Sequence, residues 1–377
     1  MLKCIFTGLA TLVFLFSSTV SALASPLADG IQAPLIAANE ACDLEIGKEY
    51  IPSSEAEDIA KITEAFRQGL TRETEARKEK DLSPIALRRT HPKTQAIVEA
   101  KFKVSKDIPQ EFQYGIFAKS KKYDAVVRLS NAAPTEGGEF RSDAIADTHG
   151  ISIKLRGLGD DVSQDFLLND HPNFIAATPN ELINFILGGA ALKQGKKISD
   201  LPLVQQKSLI RGVTLTKASD TLTKNPLDQV YFSQTPYKLG NGAVKYILKP
   251  REINTPNPIN AKDPTYALQE ALVDTLSAKD VYFDLFIQPQ TNACTELIED
   301  SSVEWKSGLI PVATLKIPSQ TINFAKQGKL NEKFVFSPWN ALPEHQPLGG
   351  LNRARKVVYP PLTELRKALN NAANKGV

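Results

Sequence analysis

The chain has 377 residues, long enough for one large domain or two ordinary ones. Its 45 basic and 42 acidic residues nearly balance, and no long basic stretch alternates with aromatics, which excludes a nucleic-acid surface of the usual kind. Three cysteines at positions 4, 42 and 294 form no Cys-x-x-Cys or zinc-ligand spacing.

The first 24 residues read as a signal peptide. Lys3 is the only early positive charge, residues 9–16 are an apolar run too short for a bilayer span, and Ala22-Leu23-Ala24 suits cleavage before Ser25. Export, to a periplasm or the exterior, is the expected location, with no membrane span left after processing. An oxidising compartment permits a Cys42–Cys294 disulfide, and two unpaired thiols remain the alternative.

Residues 25–80 read as an N-terminal arm and helix. Prolines at 26, 34 and 52 keep the arm irregular, and Ser54 with Glu57 suggests a capping box. Ile59, Ile62, Phe66 and Leu70 then follow helical spacing over residues 55–79. Residues 81–377 form the second unit. Strands are expected near residues 97–104, 124–129, 151–155, 229–233, 243–248, 281–288 and 309–317, with a polar loop at 133–147.

Thr178-Pro179-Asn180-Glu181 starts a helix well, and Gly188-Gly189 reads as its end. Residues 200–224 look helical or mixed. Asp263 and Pro264 suit the start of a helix to residue 276. Residues 352–372 read as a final helix broken or kinked by Pro360 and Pro361. The fold class expected is α+β, an antiparallel β-barrel core with helical insertions.

Candidate chemistry is spread along the chain. Arg355 and Tyr359 stand one helical turn apart, and a guanidinium beside a phenol favours the phenolate, an anionic oxygen ligand. Tyrosine is one of the few protein ligands of haem iron. His91 precedes the first long strand, Ser130 ends the second, and Asn169 ends an apolar run. Taken singly, these are ordinary structural, turn and cap residues.

In order, the segments resemble the catalase-related haem proteins. The family's Arg-x-x-His-x-Lys run appears as Arg88 to Lys93, followed by Phe102-Lys103-Val104. Its Val-Arg-Phe-Ser run appears as Val127-Arg128-Leu129-Ser130, and its Asp-x-x-Gly-x-x-x-Lys run as Asp147 to Lys154. Its Asp-x-x-x-Asn-x-x-Pro run appears as Asp165 to Pro172. Its Arg-x-x-x-Tyr-Pro run appears as Arg355 to Pro360, with Arg366 seven residues after the tyrosine.

The resemblance implies haem b as cofactor, with Tyr359 as iron ligand and Arg355 holding it ionised. It implies His91 as distal acid–base, Ser130 as its orienting partner, and Asn169 as donor to the peroxide. Arg88, Arg128 and Arg366 would pair with the haem propionates. The implied activity is a hydroperoxide-cleaving peroxidase with a peroxide substrate, a reductant of unknown identity and a possible homodimer.

Three departures matter. Thr90 stands where typical catalases carry valine, as in the allene oxide synthase branch, so a fatty-acid hydroperoxide isomerase or dehydratase is the alternative reaction. A non-catalytic haem-binding protein is the other. The aromatic expected to stack on haem is not obvious, with Leu182 near its place and Phe185 almost one turn away. The chain ends 18 residues after Tyr359, so the fold is expected to lack the C-terminal helical domain of full-length catalases, with their nucleotide site and interlocked tetramer.

Overall fold

The computed structural model describes residues 42–159, 162–253 and 264–375. The proposed signal peptide, most of the arm and Asp263 lie outside the described residues. Among the described residues nine strands occur: β1 (Lys93–Val104), β2 (Lys122–Asn131), β3 (His149–Arg156), β4 (Gln164–Asn169), β5 (Tyr231–Phe232), β6 (Tyr237–Leu239), β7 (Gly242–Pro250), β8 (Val281–Pro289) and β9 (Ile310–Ile317). All neighbours are antiparallel, in the order β5-β4-β3-β2-β1-β9-β8-β7, and β5 also pairs with β7. That last pairing closes an eight-stranded barrel, while β6 folds back on β7 outside the ring.

Period-two alternation decides which side chains enter the barrel. Val127, Leu129, Ile151, Ile153, Phe166 and Leu168 point into one continuous apolar core. Phe102 stacks on Phe166 at 5.9 Å, and Phe166 meets the Tyr246 ring edge-on at 4.9 Å. The interior is therefore filled by side chains. Arg128, Ser130, Gly150, Ser152, Leu167 and Asn169 alternate with those core residues along β2, β3 and β4, so they occupy the outer face.

That face is covered by helices. The α-helices among the described residues are α1 (Glu55–Lys78), α2 (Pro179–Lys193), α3 (Leu203–Ser219), α4 (Ala267–Ala278), α5 (Phe324–Lys333) and α6 (Gly350–Lys375). α1, α2 and α6 share a second apolar cluster built on Ile59, Ile62, Leu70, Ile183, Ala354, Val358 and Leu362.

Several local expectations change. Ser54 caps α1 without its side chain, which makes no cap hydrogen bond. Thr178 does accept from the Glu181 amide at 3.2 Å, and the Glu181 carboxylate reaches back to the Ala177 amide at 2.6 Å. α2 does not stop at Gly188-Gly189 but continues to Lys193. A Cβ on Gly188 would lie 2.7 Å from Leu209 of α3, so this glycine serves close helix packing. α6 runs through Pro360 and Pro361 without interruption. The carbonyls that lose their i+4 partners there belong to the exposed residues Lys356 and Val357, which water can satisfy. β6 and α5 were not expected from the residue pattern.

Cys42 and Cys294 form a disulfide with Cα atoms 6.0 Å apart. Nearby, the Arg353 guanidinium of α6 bonds Glu49, Glu55 and Glu299. Together these tie the end of the arm and the start of α1 to α6.

Candidate active site

Between the outer face of β2–β4 and the helices α1 and α6 lies a cavity of about 120 Å³. All eight residues singled out above line it: Arg88, His91, Arg128, Ser130, Asn169, Arg355, Tyr359 and Arg366. α6 contributes Arg355, Tyr359, Leu362, Thr363 and Arg366, whose spacing of three and four residues defines one helical face.

Opposite α6, His91 adopts a left-handed backbone with φ of 51°. Such a conformation is uncommon outside glycine and must be held by its surroundings. Arg128 supplies that hold, donating Nη2 to the His91 carbonyl at 2.6 Å and to Thr94 Oγ1 at 2.8 Å. Ser130 Oγ lies 3.4 Å from His91 Nδ1. Burial, then the charge of Arg128, pushes the imidazole down to about 3, so His91 is neutral at ordinary pH. Gly150 on β3 pairs with Ser130 and Asn169, and a Cβ there would fall 2.7 Å from His91 Cε1 and 3.2 Å from Asn169 Oδ1. Glycine at this register position leaves room for both side chains.

Asn169 is the one β4 residue paired to β5, through Phe232, so it sits on the seam that closes the barrel. Its amide donates to Gln234 Oε1 at 2.8 Å, and Gln234 Nε2 donates to the Asn173 carbonyl at 2.7 Å. Gln234 is buried and also left-handed, with φ of 61°.

A cationic cluster occupies another part of the wall. Arg88 bonds the Asn331 side chain and the Asn331 and Phe334 carbonyls, and burial together with Arg366 lowers it to about 10. Arg128 is held well below the usual guanidinium range by burial, Arg88 and Arg366. Arg366 pairs with Glu332 through Nη1, while its buried Nη2 has no partner. Three guanidiniums this close, one with an orphaned donor, suit a ligand bearing two carboxylates.

The Arg355 guanidinium bonds Thr235 Oγ1 at 3.2 Å and Asn352 Oδ1 at 3.1 Å and lies over the Phe174 ring. Its hydrogen bonds therefore go to these groups, with Tyr359 as its neighbour one turn along the cavity face. Neither Leu182 nor Phe185 lines the cavity. Leu182 packs in the helical cluster, and Phe185 fills the space left by Gly212 of α3. Besides Tyr359, the aromatics of the lining are Phe66 and Phe336. Thr90 lines the cavity beside His91.

Sequence reasoning missed Gln234, Thr94, Asn331 and Arg89. Gln234 lies between two very short strands, and only the fold brings it to Asn169. Arg89 was visible as a second arginine beside Arg88, but nothing local says that the two point apart.

The residues present fit an iron porphyrin. The lining combines a phenol, a neutral imidazole, apolar side chains and a cluster of guanidiniums for acidic substituents.

No protein-family model and no curated protein sequence matches the chain. Its architecture is that of the catalases, and the similarity appears in solved structures. A fungal catalase is 17% identical with a TM-score of 0.57, covering 87% of this chain and 66% of its own. Catalase A from Saccharomyces cerevisiae gives the same identity, TM-score and cover of this chain, with 68% of its own length. A bacterial catalase is 16% identical with a TM-score of 0.54, covering 91% of this chain and 68% of its own. The chain thus spans about two thirds of these catalases. It has a catalase-like fold, with the antiparallel barrel and surrounding helices that define it.

Proposed function

We propose that the chain is an exported, haem b-dependent enzyme that cleaves hydroperoxides. The observation that carries this reading is the convergence of His91, Ser130, Asn169 and Tyr359, from separate segments of a catalase-like barrel, on one cavity with a guanidinium cluster. Haem, when bound, would supply the electrons that reduce the peroxide O–O bond.

The protein's own contribution follows from the geometry. Tyr359, on α6, would hold the iron. Arg355 lines the same cavity face one turn away, held by Thr235 and Asn352. Arg88, Arg128 and Arg366 would bind the propionates, and Arg128 also fixes the His91 backbone. Neutral His91 takes a proton from the incoming peroxide and returns it to the departing oxygen. Ser130 orients the ring through Nδ1, and the Gln234-held amide of Asn169 donates to the peroxide oxygens. Export agrees with the Cys42–Cys294 disulfide. Among the described residues no helix is long and apolar enough to cross a membrane.

The test is the absorption spectrum of the purified chain supplied with haem, before and after peroxide. A Soret band that shifts with peroxide, lost on Tyr359→Phe, is expected. Absence of the band sinks the reading. A band that peroxide leaves unchanged leaves a haem-binding protein without this chemistry.

A further inference from the structure

Outside the active-site cavity, one end of the barrel gathers positive charge. β1 runs out through Lys101 and Lys103, and β2 begins at Lys122 just after Lys119 and Lys121. Alternation turns Phe102 and Tyr123 into the core and leaves Lys101, Lys103, Lys122 and Asp124 exposed on the outer face. The same register brings Lys316 of β9 opposite Lys101, and Arg156 of β3 opposite Asp124. With Arg251 these side chains line a groove of about 700 Å³, which shares no residue with the active-site cavity.

The register also sets like charges directly against each other. Lys103 pairs with Lys122, and Lys101 with Lys316. Like charges directly opposed across two strands destabilise a sheet. Some of this charge is relieved nearby. Lys101 pairs with Asp124, Lys316 with Asp280 at 2.6 Å, Arg251 with Asp284 at 2.6 Å, and Arg156 with Glu99. Among the described residues no acid relieves Lys103 or Lys122. The sheet gains nothing from that pair, which points to a ligand.

The lining narrows the class of ligand. Arg251 and Lys316 already lie over the Tyr282 ring, at 5.7 and 5.6 Å. Tyr123 is buried, with Lys121 over its ring at 4.8 Å. Bases therefore find no open ring to stack on, unlike the usual surface for single-stranded nucleic acid. No exposed apolar side chain lines the groove for insertion into a membrane. What remains is a file of cations, with one or two from each of the adjacent strands β3, β2, β1 and β9. Neighbouring strands lie about 4.8 Å apart, so a linear chain with an anion on successive units can meet several cations at once.

We propose that this groove binds an acidic polysaccharide, a sulfated or carboxylated chain lying across β3, β2, β1 and β9 with Lys103 and Lys122 as its main anchors. The contact is between exposed charges, so it weakens as salt rises. It is independent of the peroxide-cleaving reading.

The experiment is calorimetric titration of the full chain with dextran sulfate and with neutral dextran at rising sodium chloride. Dextran sulfate should bind, dextran should not, and the affinity should fall with salt. Lys103→Glu with Lys122→Glu should weaken binding by more than about tenfold, since two anchors of a multivalent contact become repulsive. Lys326→Glu with Lys329→Glu makes an equal change of charge on exposed residues of α5 and should leave the affinity within about twofold. Lys103→Arg with Lys122→Arg should retain binding, and far-UV circular dichroism checks that each variant folds. Failure to bind dextran sulfate overturns the proposal, as does an equal loss in the two charge reversals or full binding by folded Lys103→Glu with Lys122→Glu. Tighter binding of duplex DNA or of phosphatidylglycerol vesicles than of dextran sulfate overturns it as well.

Discussion

Asn169 is oriented by Gln234. The Asn173 carbonyl can only accept, so it takes Gln234 Nε2, which turns Gln234 Oε1 toward the Asn169 amide. The donor end of Asn169 is thereby assigned through two side chains and one backbone group. Gln234 also holds a left-handed backbone, like His91 across the site.

Replacing Gln234 by leucine should leave the Asn173 carbonyl and the Asn169 amide without this partner. A loss of about 1–3 kcal/mol in urea unfolding is expected, typical of a buried polar group left unpaired. Peroxide turnover should fall about tenfold while the Soret band stays. Unchanged turnover with the expected loss of stability would restrict Gln234 to a structural role.

Gly150→Ala tests the space between His91 and Asn169. The added methyl meets His91 Cε1 and Nδ1 at 2.7 and 2.8 Å, so the ring must move away from Ser130. Overpacking of this kind costs about 1–3 kcal/mol. Peroxide cleavage should drop by more than tenfold with haem retention intact, read from turnover and the Soret band together.

The pH dependence of stability follows from two histidines. His91 and His345 are each pushed down to about 3, chiefly by burial. His345 Nε2 accepts from the Ile116 amide at 3.0 Å, and Nδ1 lies 3.1 Å from the Tyr246 hydroxyl, an arrangement that needs the neutral ring. The unfolded chain takes up these protons near pH 6.5, the folded one only near 3. Stability is therefore fully present above about pH 6.5 and declines as pH falls from there toward 3. Urea midpoints measured from pH 8 to 4 should show this, with a shallower slope in His345→Asn. His91 stays neutral throughout, so peroxide cleavage should not fall with a histidine-like midpoint near 6.5.

Removing the Cys42–Cys294 disulfide should cost about 2–4 kcal/mol, since the link spans a sequence separation of 252 residues. Cys42→Ser with Cys294→Ser, compared with the unaltered chain in urea, measures it. The Arg353 cluster keeps Glu49 and Glu55 at α6, so haem binding should survive.

Features governed by neighbours in sequence were legible before the fold was known. The Thr178–Glu181 cap and the stripe of Arg355, Tyr359 and Arg366 are examples, because local geometry alone relates those residues. The barrel was legible from its alternating strands, while its two-residue closing strand β5 was too short to set a register. Gly188-Gly189 misled because glycine ends a helix and also permits close packing, and only Leu209 distinguishes the two. Gln234 and Asn331 had no local mark at all. Their value comes from Asn169, Arg88 and Arg128, which are far away in the chain.

Arg128 and Ser130 share β2 with the core residues Val127 and Leu129, one inward and one outward at each step. A slip of β2 by a single residue would carry the guanidinium into the apolar interior and expel the valine and leucine. The strand register that satisfies the core is the same register that presents Arg128 and Ser130 to His91. The wall thus proofreads its own chemistry. A molecule that has closed its barrel has, by that act, already assembled one side of its pocket, and a misregistered one is rejected as unfolded before it can bind anything.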